Sequence, residues 1–190
     1  MRPTPAKDAL LEAACELFYR NGIHATSVDA ILDRAGVARQ SLYQHFTSKD
    51  GLVAAFLERR DERWCGWMND FVEQSGTDPM ERLLSIYDFL ADWFAQPDFS
   101  GCAFINTAAE YGDPEHPFHV LSTQHKARVL GDIERLCRDA DLPRPKALAR
   151  QLALLMEGAI VTEQVTPGSK AAAEARRMAE IIIHHHRSKT

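Results

Sequence analysis

Apolar residues recur at helical spacing along almost the whole chain. Leu10, Ala14, Leu17 and Phe18, for example, follow the i, i+4, i+7, i+8 spacing of one buried helical face. No stretch alternates between apolar and polar residues for long enough to predict a strand. The pattern therefore predicts an all-α fold of about nine helices.

Capping residues and turn formers mark where these helices begin and end. Thr4 and Thr26 are expected to cap the first two helices, and Gly22 and Gly36 are expected to end them. Ser48 is expected to cap the long fourth helix, which no proline interrupts. The other helices are expected at about residues 39–45, 79–95, 102–111, 118–140, 145–165 and 169–185.

The charges are unevenly distributed along the 190 residues, whose formal net charge is -5. Residues 1–60 carry eight Lys and Arg against seven Asp and Glu, whereas the remainder carries fourteen against twenty. The window from Arg34 to Lys49 contains no acidic residue, and Asp33 and Asp50 flank it. DNA binding confined to one end of an acidic chain is consistent with this distribution.

The same window is predicted to form a helix-turn-helix. Two short helices are joined by residues 35–38, where Gly36 tolerates a positive φ. Leu42 and Phe46 lie one turn apart in the second helix and are expected to face inward. The outward side chains are then Arg39, Gln40, Ser41, Tyr43, Gln44 and His45. The alternative is a surface helical hairpin within a bundle.

These outward side chains are suited to reading DNA. Arg39 can pair with guanine and Gln40 or Gln44 with adenine in the major groove, where the start of a recognition helix lies. Tyr43, His45 and Lys49 are expected to reach phosphates, as are free N–H groups at the capped helix starts. The predicted DNA contacts are Thr26, Ser27, Arg39, Gln40, Ser41, Tyr43, Gln44, His45 and Lys49.

Residues 8–57 resemble the DNA-binding region of the tetracycline-repressor (TetR) family without a gap. The resemblance rests on a series that is specific as a set: Gly22, Thr26, Ile31, Ala35-Gly36-Val37, Leu42-Tyr43, His45-Phe46 and Ser48-Lys49. It implies an Ω-shaped homodimer that binds palindromic operators, holds a ligand pocket in its C-terminal domains and pairs through its last two helices. One departure is Ala38, where the family often has a Ser or Thr cap.

We therefore predict a helix-turn-helix DNA-binding domain at 1–50 and a helical ligand-binding and dimerisation domain at 51–190. The eighth helix carries more apolar surface than one face needs, and the ninth carries small residues that permit close helix approach, which favours pairing of two chains. The alternative is that these faces only close the core of one chain. The residues considered for this interface are Leu148, Leu152, Leu155, Met156, Ala159, Ile160, Ala171, Ala175, Met178, Ala179 and Ile182.

Aromatic residues at helical spacing in the second domain indicate either a plain core or an apolar ligand pocket. Polar residues of the sixth helix would orient a ligand there, or would serve only as caps and surface hydrogen bonds. We predict a small apolar or aromatic effector. The candidate contacts are Trp64, Trp67, Met68, Phe71, Phe89, Trp93, Asn106, Glu110 and Met156.

Other chemistries are less well supported by the sequence. His116, His119 and His125 lie near acidic residues, but the local turn is explained by a helix start, so we expect no metal and no cofactor. The sequence contains no Gly-rich phosphate loop, no GxSxG motif and no HExxH motif, so we expect that the protein is not an enzyme. No apolar run reaches the ~18 residues of a membrane span, and a signal-peptide core is lacking, which predicts a cytoplasmic protein.

The four cysteines, Cys15, Cys65, Cys102 and Cys137, form no CxxC pair and are expected to be free thiols. The predicted function is a one-component, ligand-responsive transcriptional regulator, namely a repressor. One alternative is a DNA-binding adaptor without a small-molecule ligand. Another is a thiol- or electrophile-responsive regulator acting through Cys102, whose helix start would stabilise a thiolate.

Overall fold

The structure is a computed structural model that describes residues 5–188, and within that range it contains nine α-helices and no strand. The all-α prediction is confirmed, while the Thr4 cap lies outside the described residues. The helices are α1 (Pro5–Asn21), α2 (Val28–Ala35), α3 (Arg39–Phe46), α4 (Lys49–Gln74), α5 (Pro79–Phe94), α6 (Ala103–Glu110), α7 (Pro117–Asp139), α8 (Pro145–Val165) and α9 (Ala171–Arg187).

Local side-chain chemistry explains several helix ends. Gly36 ends α2 at φ 66°, and Ala38 precedes α3 without a side-chain cap, both as expected. The prediction that Thr26 caps α2 is wrong, because the Oγ of Ser27 accepts the N–H of Ala30 at 3.1 Å. The Ser48 prediction is confirmed, since its Oγ accepts the N–H of Gly51 at 3.1 Å.

By packing, the chain divides into two compact units. The first unit comprises the chain up to Arg63 together with Ala103–Gln124, and the second comprises Trp64–Cys102 and the chain from His125 onward. α4 and α7 each contribute to both units, because each helix runs across a unit boundary. The segment 103–124, which the sequence placed in the second domain, therefore packs with the helix-turn-helix.

The first unit is built on α1, which packs against α2 and α3. Its core includes Leu10, Ile31, Leu42 and Phe56, each at most 1% exposed. The α3–α4 junction is tight, because a Cβ added to Gly51 would lie 2.0 Å from the carbonyl oxygen of Phe46. A glycine is thus required for α4 to begin this close to the end of α3.

The second unit is built on α5, α8 and α9, which pack against one another in all three pairs. The Tyr87 hydroxyl donates to the Leu152 carbonyl at 3.0 Å within this core, and burial raises the pKa of Tyr87. Arg176 of α9 donates through Nε to Asp88 of α5 at 3.1 Å. Across residues 5–188, none of the helices is both long and apolar enough to cross a membrane.

Candidate functional site

The third helix presents a polar face to solvent. Leu42 and Phe46 are buried beneath it, as the sequence predicted. The exposed side chains are Arg39, Gln40, Tyr43 and Gln44, while Ser41 and His45 are half-buried. Tyr43 is 52% exposed. This arrangement can place an Arg, two Gln amides and a phenol in a major groove.

All three cations of the acid-free window have partners within the first unit. Arg34 pairs with Glu16 at 2.6 Å, and Arg39 pairs with Asp29. The Tyr43 hydroxyl, and after it Asp29, raises the pKa of Arg39, so its guanidinium stays charged. Because the Arg39–Asp29 pair is exposed on both sides, a phosphate or a base edge can replace the carboxylate at little cost.

Two predicted DNA contacts have structural roles in the loop between α1 and α2. Thr26 is only 3% exposed, and its hydroxyl donates to the carbonyl of Gly22 at 2.7 Å. The Lys49 ammonium donates to the Ile23 carbonyl at 2.7 Å and lies 5.9 Å from the Phe18 ring centroid. Ser27, by contrast, is exposed at the first turn of α2, next to that helix's free N–H groups.

Glu110, a predicted effector contact, lies in the first unit and bonds this same loop. Its carboxylate accepts the N–H of Ile23 at 2.9 Å and the N–H of His24 at 2.6 Å. The His24 Nδ1 lies 3.0 Å from Oε2, and the His24 ring packs on Tyr111 with centroids 4.7 Å apart. Asn106 lies on the same helix, α6, and is half-buried.

The sequence contained no pattern pointing to this contact, since Glu110 and the loop are 86 residues apart.

Two of the histidines that were considered for a metal site, His116 and His119, lie in the first unit and contact backbone groups. His119 Nδ1 lies 2.8 Å from the Tyr111 carbonyl, and His116 Nδ1 accepts the N–H of Phe118 at 3.3 Å.

The aromatic residues of the second unit form one continuous cluster. Trp64 contacts Phe89 and Trp93 edge to face, with centroids 5.3 and 5.4 Å apart. Trp67 and Phe71 extend the cluster along α4, at 4.8 and 5.8 Å from Phe89. These ring contacts fit both interpretations from the sequence, a plain core and an apolar ligand pocket, so the contact of these residues with an effector stays a prediction.

The centre of the aromatic cluster contains a polar group without a partner. Trp64 is 6% exposed, and within the described residues its Nε1–H has no hydrogen-bond acceptor. The predicted effector contacts Met68 and Met156 are fully buried, at 0% and 1% exposure. A buried donor of this kind is normally satisfied by an acceptor, either an ordered water or an atom of a bound molecule.

Cys102 lies immediately before α6 and is 4% exposed. The Lys126 ammonium lies 3.4 Å from its Sγ and 2.7 Å from both oxygens of Glu157. Burial lowers the pKa of Lys126, but Cys102 and Glu157 raise it by more, so the net shift is upward. Burial raises the pKa of Cys15 to about 11 and that of Cys137 to about 12.

The last two helices carry an exposed apolar stripe. Most interface candidates from the sequence, including Leu148, Leu152, Met156 and Ala179, are buried within the second unit itself. For those residues the core interpretation is correct. The stripe that is exposed consists of Leu154 (74% exposed), Val161 (41%), Val165 (75%), Met178 (50%) and Ile181 (69%).

Comparison with known proteins gives matches over both parts of the chain. Residues 10–56 match the family described as "Bacterial regulatory proteins, tetR family". Residues 79–179 match the family described as "Tetracyclin repressor-like, C-terminal domain". The transcriptional activator FasR of Mycolicibacterium smegmatis is 38% identical over 73% of this chain and 62% of its own. The transcriptional repressor ComR of Escherichia coli is 31% identical over 70% of this chain and 64% of its own.

The fold also matches a solved structure over nearly its full length. The TetR-family regulator SCO4454 of Streptomyces coelicolor has a TM-score of 0.88 and 29% identity, over 97% of this chain and 91% of that one. The helix-turn-helix and these similarities define a ligand-responsive, DNA-binding transcriptional regulator. The chain belongs to the TetR family.

Proposed function

We propose that this regulator is a repressor that binds a palindromic operator as a homodimer in the cytoplasm and dissociates when a small effector binds. The observation that carries the DNA-binding part is the exposed face of α3, with Arg39, Gln40, Tyr43 and Gln44 directed to solvent. Since base edges are read by such side chains at the start of a recognition helix, α3 is the element that reads the operator.

The exposed apolar stripe of α8 and α9 supports a homodimer. Isolated apolar side chains on a surface are ordinary, but here five lie on two helices that pack against each other. A two-fold axis would pair the stripe with its copy and produce a four-helix interface. The two recognition helices would then lie about 34–36 Å apart, one turn of DNA.

The aromatic cluster supports an apolar or aromatic effector that carries a hydrogen-bond acceptor. Edge-to-face rings such as Trp64 with Phe89 offer further ring faces and edges to an aromatic guest. The buried Nε1–H of Trp64 would be satisfied by a carbonyl or hydroxyl oxygen of that guest. The effector class is therefore compact, largely apolar and equipped with one acceptor oxygen.

The thiol-responsive alternative has one supporting contact, because the Lys126 ammonium lies 3.4 Å from the Cys102 sulfur. Cys102 is only 4% exposed, which opposes that alternative, because a reagent must be able to reach a reactive thiol. Effector binding by the aromatic cluster is accordingly the function that we propose.

The DNA-binding proposal is tested with duplexes selected in vitro from a random pool. Arg39→Ala is expected to cost about 1–3 kcal/mol at one base pair of the selected sequence and to relax the preference there. Arg138→Ala, which removes the same charge from an exposed site on α7, serves as the control. If the wild-type protein selects no sequence, or if both variants behave alike, α3 is not the reading helix.

A further inference from the structure

Side chains from three separate parts of the first unit bond the backbone of the loop that joins α1 to α2. Gly22 turns the chain at φ 88°, and its carbonyl accepts from Thr26. The Ile23 carbonyl accepts from Lys49 at 2.7 Å. Glu110 supplies the acceptors for two successive N–H groups, those of Ile23 and His24. Of these bonds, only those to Glu110 tie the loop to α6.

The contact between Glu110 and the loop is close. A Cβ added to Gly22 would lie 3.0 Å from Oε1 of Glu110, so a larger residue would press against the carboxylate. Oε2 also lies 3.0 Å from Nδ1 of His24. Glu110 is only 22% exposed in its side chain, which strengthens its charge-assisted bonds relative to bonds in water.

Directly after Glu110, Tyr111 holds the same loop through ring contacts. Its ring lies 4.7 Å from that of His24 and 4.4 Å from that of His116. Phe118 packs edge to face on Tyr111 at 5.1 Å. The carboxylate and the ring together fix the position of residues 22–24, a few residues before the Ser27 cap of α2.

We propose that Glu110 is a positioning residue for operator recognition. It touches no DNA in this proposal. By fixing the loop, it sets the direction in which α2 leaves α1, and α3 follows α2 after a three-residue turn that begins at Gly36. Misplacing a recognition helix by a fraction of an ångström weakens base contacts but spares phosphate contacts made by flexible side chains. The inference rests on the proposed reading of DNA by α3.

The test compares Glu110→Asp and Glu110→Gln with Glu115→Asp and Glu115→Gln. Glu115 is exposed and lies in the same unit, so the control pair reproduces each change of length and charge. For each protein, dissociation constants are measured for the selected operator and for a scrambled duplex of the same length at one salt concentration. The melting temperature is recorded alongside.

The preference is the dissociation constant for the scrambled duplex divided by that for the operator. We expect this ratio to fall about tenfold in both Glu110 variants, with little change in affinity for the scrambled duplex. The Glu115 variants are expected to keep the preference. An unchanged preference in folded Glu110 variants overturns the proposal, and so does an equal loss of affinity for both duplexes. A wild-type protein without any preference would instead contradict the proposed DNA reading.

Amide hydrogen exchange of the wild-type protein provides a second test that needs no variant. The Ile23 and His24 amides are expected to exchange far more slowly than the amide of Asp113, an exposed residue in the turn before α7, because Glu110 accepts their hydrogens. Exchange of both amides at ordinary loop rates would show that the carboxylate does not hold the loop, and would overturn the proposal even if the Glu110 variants failed to fold.

Discussion

The two units keep their functional groups in place by different kinds of interaction. In the first unit, directional hydrogen bonds from Thr26, Lys49 and Glu110 fix the loop before the helix-turn-helix. In the second unit, edge-to-face rings around Trp64 and Phe89 make up the candidate effector site. Within the described residues, the buried side-chain polar atoms that have no hydrogen-bond partner all lie in the second unit: Trp64 Nε1, Asp132 Oδ2 and His186 Nδ1.

This difference corresponds to two tasks. Reading a base sequence needs one fixed geometry, and hydrogen bonds of defined length and direction provide it. Sensing a small molecule needs a packing that accommodates a guest, and ring contacts of similar energy in several orientations allow that. The following predictions test whether the two units differ in this way, beginning with the surface on which both tasks depend.

The largest effect is expected from Leu154→Arg. Leu154 is 74% exposed on α8 and belongs to the apolar stripe, and an Arg buried there by pairing would prevent the two-fold contact. A monomer binds one half-site only, so operator affinity should fall by about 10²–10⁴. Light scattering and operator titration measure the two effects. Val120→Arg, on the exposed side of α7, is the control, and a dimeric Leu154 variant would refute pairing through the stripe.

Gly51→Ala is expected to damage the first unit selectively. The new Cβ would lie 2.0 Å from the Phe46 carbonyl oxygen, so α3 or α4 must move, at a cost of about 1–3 kcal/mol or more. Thermal unfolding and operator titration are the measurements. Gly66→Ala is the matched control in the same helix, because nothing lies within 4 Å of its added Cβ; it should stabilise by about 1 kcal/mol. Equal melting temperatures for the two variants would contradict the tight junction.

Trp64→Phe tests the acceptor preference of the aromatic cluster. The chain's three tryptophans, Trp64, Trp67 and Trp93, all lie in this cluster, so intrinsic fluorescence reports on it alone. The ratio of dissociation constants for acetophenone and ethylbenzene should change by about tenfold when the indole N–H is removed. Trp67→Phe should leave that ratio as in the wild type. Absence of any fluorescence change with either probe would contradict an effector site here.

The smallest effect is expected for thiol reactivity. Cys65, Cys102 and Cys137 are at most 4% exposed, so iodoacetamide should label them slowly at pH 7 to 8. Burial raises the pKa of Cys15 to about 11, so its labelling rate should increase as the pH rises toward that value, where the thiolate forms. Fast, selective labelling of Cys102 that Lys126→Met slows would instead favour the thiol-responsive alternative.

The sequence predicted the helices well because each is set by local chemistry. Residues 145–165 were predicted for α8 and are observed, since Pro145 favours a first helical position and the apolar pattern continues to Val165. The cap of α2 was misassigned by one residue, from Ser27 to Thr26, because both residues can cap a helix. Only the packed structure shows that the Thr26 hydroxyl donates to the carbonyls of Gly22 and Leu17.

The candidate site was less predictable wherever it depends on distant residues. The outward face of α3 follows from the positions of Leu42 and Phe46 within one short helix. The attachment of Glu110 to the loop 86 residues away has no local pattern. The exposed apolar stripe could not be predicted in the same way. α8 is apolar on two faces, and periodicity alone does not show that the face with Leu152 is buried while the face with Leu154 is exposed.

The intramolecular pairing of Arg34, Arg39 and Lys49 has a consequence for how this regulator finds its operator in a genome. In the proposed mode of DNA binding, a phosphate of any sequence must displace the Asp29 carboxylate from Arg39, at little cost, and the Ile23 carbonyl from Lys49, which is half-buried. An operator adds base contacts to that exchange and so makes the displacement favourable. Because non-specific sites vastly outnumber operators, such internal competition leaves fewer molecules held on the wrong sequence.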